Sequence, residues 1–178
     1  MMKIAFIILP FLFGAVFAEI PNPAFGGKNN QLSVFFGQSV WGKHKEKLFN
    51  FGFFYSQPND FFRLPGRRNV ELMTQRGAGK LSRYNNDAIF GFSQDLISPA
   101  LWRMYAGINL GIYIKSEITD RIGSRFTFGE RAFLGCKIID DYVLELYARH
   151  FSNGDLTKEN GGQNFIGLSV MWNFGKPR

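Results

Sequence analysis

Apolar and polar residues alternate at every second position in short runs, and clusters of Gly, Asn, Asp and Pro separate the runs. Successive side chains on a strand point to opposite faces, so this period marks strands with one apolar face. Eight runs read this way, at about 32–40, 48–56, 69–75, 88–94, 102–115, 125–138, 142–152 and 164–174. The segment from Gln57 to Arg67 is long for a turn and leaves room for a strand extension.

Three runs fix what the two faces meet. In 142–152 the even set is Leu144, Leu146, Ala148, His150 and Ser152, while the odd set carries Glu145 and Arg149. In 164–174 Asn164, Ile166, Leu168, Val170, Trp172 and Phe174 stand opposite Gly167, Ser169 and Asn173. In 125–138 the even set is apolar apart from Glu130, with Arg125, Thr127, Arg131 and Lys137 on the other face. Aliphatic residues outside and charges inside are the pattern of a barrel in lipid. A secreted soluble barrel that binds a lipid within would reverse it. The predicted fold is therefore all-β, an eight-stranded antiparallel transmembrane β-barrel, too narrow to be a wide pore. Phe165-x-Gly167-x-x-Val170-x-Trp172-x-Phe174 also resembles the C-terminal insertion signature of outer-membrane barrels, with four residues following it.

The first residues do not continue the pattern. Lys3, the apolar run Ile4–Phe13 and Val16-Phe17-Ala18 before Glu19 read as a secretory signal peptide. The expected division is a leader at 1–18 and a barrel domain at 19–178. No later stretch is long and apolar enough for a transmembrane helix. Composition agrees: 46% hydrophobic and 17% aromatic, in an exported chain of 178 residues. Cys136 is alone, which excludes an internal disulfide and a cysteine metal cluster, and reads as an apolar filler. The formal charge of +7 gathers between strands, at Lys43, Lys45 and Lys47, at Arg76, Lys80 and Arg83, and at Lys115, Arg121 and Arg125. For an exported chain that charge suits an anionic membrane surface, not nucleic acid.

Candidate chemistry lies on the lipid face. Hydrocarbon offers His150 and Ser152 no hydrogen bonds, so their place at the end of an apolar face calls for a partner or a headgroup zone. Two residues apart on one strand, they are neighbours, and a His can act as general base toward a Ser hydroxyl. The 152–164 connection is expected to bring Asn164 beside Ser152 on the same face. A tight turn at Ile139–Asp141 would set Glu130 opposite His150, a register that a one-residue slip would reverse. His44, in the basic Lys43–Lys47 loop, reads as a solvated side chain.

His150-Phe-Ser152-Asn153-Gly154-Asp155-Leu156, then Asn160-Gly-Gly162-Gln-Asn164, resembles the core of the lipid A 3-O-deacylase (PagL) family, H-x-S-N-A-G-L followed by N-x-G-x-E. Phe126-x-Phe128-x-Glu130-Arg131 is similar to the family's F-x-F-x-D-R. The resemblance covers about 104–174. It implies an outer-membrane serine esterase of a Gram-negative bacterium that removes an ester-linked acyl chain from lipid A of lipopolysaccharide in the outer leaflet. Ser152 would be its nucleophile and His150 its base. Asn160 would serve the oxyanion hole and Asn153 would shape the site. The family's acid falls on Asn164, which can orient an imidazole but not neutralise it. Asp155 stands where the family has a glycine. Glu130 is the alternative acid, with Glu159 behind it. No metal or cofactor is implied, and a homodimer is compatible with the reading. The competing function is a non-enzymatic small outer-membrane barrel, structural or adhesive.

Overall fold

The computed structural model describes residues 29–40, 47–61, 64–77, 86–119 and 121–174. The expected leader at 1–18, with Lys43, His44, Lys45, Lys80 and Arg83, lies outside the described residues. The strands are β1 (Asn30–Ser39), β2 (Leu48–Phe61), β3 (Leu64–Gly77), β4 (Asp87–Ile97), β5 (Met104–Lys115), β6 (Phe126–Ile139), β7 (Tyr142–Ser152) and β8 (Gln163–Phe174). Each pairs antiparallel with its sequence neighbours, and β8 pairs with β1 to close the barrel. Closure leaves the sheet without an edge, the condition for strands to stand in hydrocarbon.

The suspected extension is present. β2 and β3 run on through Gln57–Arg67, with Pro58 opposite Arg67. Pro58-Asn59-Asp60 looks like a turn in sequence, yet Pro58 lies beyond the last β1–β2 pair, Gln31–Ser56. On the β1 side its missing N–H therefore breaks no ladder, as at an edge strand.

Alternation holds around the wall. Val34, Phe36, Phe53, Phe92, Leu110, Ile112, Leu134, Leu146 and Leu168 are exposed large apolar side chains on the outside. A continuous apolar surface of this kind is a membrane face. It overturns the alternative of a soluble barrel. The inside is charged and filled. Arg67 bonds Asp95 through Nε at 2.7 Å and Glu145 through Nη2 at 2.8 Å. Arg131 reaches Asp95 and Glu145 at 3.4 Å, and Arg149 pairs with Glu71 at 2.7 Å. Tyr105 donates to Glu145 and Tyr113 to Glu71. Arg131 also lies over the rings of Phe54 and Phe133. Tyr113 and Phe133 fit inside because Gly91 and Gly107 face them without a side chain. Lys115 belongs to this interior and not to a basic loop: its Nζ is 3.1 Å from Asp87, because its place in β5 points it inward.

Candidate active site

His150 and Ser152 are the last outward-facing residues of β7, both half-buried. Phe151 between them points inward, 1% exposed, and packs edge-on against Tyr113 and Phe165. That buried ring fixes the strand's phase and so aims its two neighbours out of the barrel.

The β6–β7 hairpin places Glu130 directly opposite His150 and Phe128 opposite Ser152. The register depends on an irregularity. Ile139 pairs with Tyr142, which alone would set Glu130 against Phe151; a bulge between Lys137 and Ile139 moves the ladder by one. On the other side Asn164 stands opposite His150. It does not stand beside Ser152 as expected, because β8 begins pairing at Gln163–Phe151 and Ser152 extends past that ladder.

Asn164 Oδ1 lies 2.8 Å from His150 Nδ1. A carbonyl oxygen only accepts, so Nδ1 carries a proton, and in the neutral ring the lone pair is on Nε2. This is the tautomer a general base at Nε2 needs. Gly162 closes over the same ring. It has φ +60, and a Cβ there would come 2.7 Å from His150 Cε1. The pattern N-x-G in the sequence marked the glycine, but not that it covers the imidazole.

The 153–162 connection is a folded unit. Asn153 is fully buried and gives Nδ2 to Thr157 Oγ1 and to the Glu159 carbonyl. Its Oδ1 accepts from Asp155 N, and its N donates to Asn160 Oδ1 at 3.0 Å. Leu156 N bonds the Asn153 carbonyl across Gly154 (φ 60) and Asp155 (φ 62), a turn with both central residues left-handed. The loop is also tied to the β5–β6 connection, through Ile122–Asn160, Gly123 N to the Glu159 carbonyl and Gly161 N to the Arg121 carbonyl. Asn153 thus organises the 153–162 connection.

Asn160 is engaged at both ends. Its Nδ2 donates to Asp155 Oδ1 at 2.8 Å. The Asp155 carboxylate therefore holds the amide N–H that the family resemblance assigns to an oxyanion. Asp155 also sits in the left-handed region, where a glycine is unstrained. Asp155→Gly should free that amide and raise ester turnover roughly tenfold, on the scale of one oxyanion donor. Steady-state rates of the two proteins check this, and an unchanged or lower rate would show that Asn160 is not the donor. Glu159 is exposed, and its backbone carbonyl serves the loop.

Similar structures define the class. The chain superposes on the crystal structure of the outer membrane enzyme PagL with a TM-score of 0.62, at 18% identity, over 81% of this chain and 99% of that one. Neisserial surface protein A gives 0.58 at 15% identity, covering 82% and 96%. The Ail outer membrane protein of Yersinia pestis gives 0.50 at 12%, covering 83% and 99%. The fold is that of a small Gram-negative outer-membrane barrel, and the chain resides in that membrane. No curated protein matches the chain by sequence.

The sequence matches the lipid A 3-O-deacylase (PagL) family over residues 35–173. The chain belongs to that family, and the protein is an ester hydrolase that takes lipid A as its substrate class. The match reaches back to β1, so the family extends beyond the four strands on which the resemblance rested.

Proposed function

We propose that Ser152 and His150 form the esterase site, on the lipid-facing wall, and that it removes the 3-O-linked acyl chain of lipid A. One observation carries the reading: His150 has Nδ1 held by Asn164 on the same outward face that presents Ser152 two residues on. Ser152 Oγ attacks the ester carbonyl while His150 Nε2 takes the hydroxyl proton. The tetrahedral intermediate expels the sugar oxygen, which receives that proton from His150. Water then attacks the acyl-serine, His150 again taking and returning a proton, and the hydroxyacyl chain leaves as a free acid. The substrate arrives by lateral diffusion, since the site opens where the esters of a membrane lipid lie. The exposed ring of Phe128, opposite Ser152, and that of Phe126 packed against it suit the substrate's acyl chains.

The positive charge that develops on His150 is matched by Glu130. Directly opposed residues on adjacent strands have Cβ atoms about 5 Å apart. Glu130 is the acidic member of the row Glu130–His150–Asn164. Asn164 sets the tautomer and Glu130 supplies the charge, a division of the task that one carboxylate performs in the family pattern. Glu130→Gln should lower kcat about tenfold or more and leave KM near its value, as for a group that acts on the transition state. Asn164→Glu should preserve or raise activity. If Glu130→Gln is harmless while Asn164→Ala is not, the charge assignment fails.

Expression of the chain in a bacterium with intact lipid A tests the function. Lipid A should lose the mass of one hydroxyacyl chain. An unchanged spectrum from a correctly inserted barrel would contradict the proposal.

A further inference from the structure

A groove of about 790 Å³ crosses the outer wall from β2 to β6. Val70, Phe92, Leu110 and Ile112 give it an apolar floor. One end reaches Phe128 and Glu130, beside the proposed esterase site. The other end is built differently. Gln57 is opposite Arg68, and Arg68 is opposite Gln94, so two amides flank a guanidinium along one ladder row. Gln94 is fixed by a reciprocal amide pair with Asn59, at 3.1 and 2.9 Å, and gives its second N–H to the Asp95 carbonyl at 2.7 Å, so it walls the site without donating into it. Arg68 is exposed on the lipid face. Among the described residues no acidic side chain pairs with it; the one acid lining the groove, Glu130, is three strands away.

An arginine on a lipid face needs an anion or water at its head. Its planar fork fits the oxygens of a phosphate, and Gln57 on one side keeps an N–H beyond the one it gives to Tyr55 Oη. We propose that Arg68 and Gln57 bind the phosphate of a glycerophospholipid, and that one of its acyl chains lies along the groove. The position selects the source. Arg68 is near the start of β3 at Leu64, and Gln94 near the end of β4 at Ile97, toward the rim that carries the chain termini. The proposed esterase site is at the opposite rim, at the end of β7. The headgroup therefore belongs to the leaflet across the membrane from the lipid A that the enzyme processes. The bound lipid is not a substrate. Its esters lie beside its phosphate, and Arg68 on β3 is four strands from His150 on β7, roughly 19 Å at the usual spacing. The inference stands on the groove and its cation, independently of the catalytic assignment.

Native mass spectrometry of the barrel loaded with phosphatidylglycerol tests this. One phosphatidylglycerol should remain per barrel. Arg68→Ala should lower that occupancy about tenfold, the size of a lost charged hydrogen bond. Leu110→Trp, which fills the floor and leaves the cation, should also lower it. Heat-modified gel mobility confirms that each variant is a closed barrel. Equal retention by Arg68→Ala, or equal retention of uncharged diacylglycerol by the unaltered barrel, would overturn the proposal. So would saturation of the site by glycerol 3-phosphate alone, or a second barrel covering the groove.

Discussion

Ser152→Ala should lower kcat for acyl release by on the order of 10⁴-fold or more, with KM little changed. The alanine leaves the strand, the oxyanion donors and the lipid contacts in place. It removes only the oxygen that bonds to the carbonyl carbon. Binding therefore survives and chemistry does not. His150→Ala should cost a similar factor, and combining the two should add almost nothing, because a base without its nucleophile has no proton to take. Both variants should insert and resist denaturation like the unaltered barrel, since neither side chain belongs to the interior network. Initial rates on a lipid A substrate in detergent measure this. A loss below tenfold for Ser152→Ala would place the nucleophile elsewhere.

Arg67→Leu should produce the largest loss of stability. Arg67 is 1% exposed and bonds Asp95, Glu145 and Gln31 at once. Removing it leaves Arg131, at 3.4 Å, as the cation beside Asp95 and Glu145, which keep only neutral donors otherwise, from Asn69, Asn109 and Tyr105. Removing one partner of a buried ion pair costs about 3–5 kcal/mol, chiefly through the charge left behind. Arg67→Leu with Glu145→Leu should recover part of that loss, since the second change removes a stranded carboxylate. Urea unfolding in lipid vesicles, followed by tryptophan fluorescence, gives both values. A cost below about 1 kcal/mol for Arg67→Leu would mean that water or relaxation replaces it.

The outer wall was legible in the sequence because lipid imposes a strict rule on every second residue. The odd and even sets of β6, β7 and β8 fall on the faces their composition indicates. Glu130 opposite His150 was also legible, for a reason that involves the bulge: a two-residue turn plus one bulged residue gives the same register beyond it as the three-residue turn expected at Ile139–Asp141. Asn164 was misplaced by two residues because a long connection, unlike a tight turn, does not set where pairing resumes. The interior charges were seen as a class, but not as a network. Turn chemistry at Pro58-Asn59-Asp60 hides the place of Arg67 in β3, and the position of Lys115 at a strand end hides its inward direction. The groove and its Arg68 end were invisible for a geometric reason. They are assembled by one residue from each of several strands, and only the registers bring those residues into a row.

The central claim is that a serine on the barrel's outside performs the chemistry. A p-nitrophenyl phosphonate carrying a long alkyl chain tests it most directly, because the attacking oxygen becomes bonded to phosphorus as p-nitrophenolate leaves. The expected result is one adduct per barrel, mapped to the peptide that contains Ser152, absent in Ser152→Ala and formed far more slowly in His150→Ala. An adduct on any other residue, or none from a barrel that still deacylates lipid A, would contradict the account.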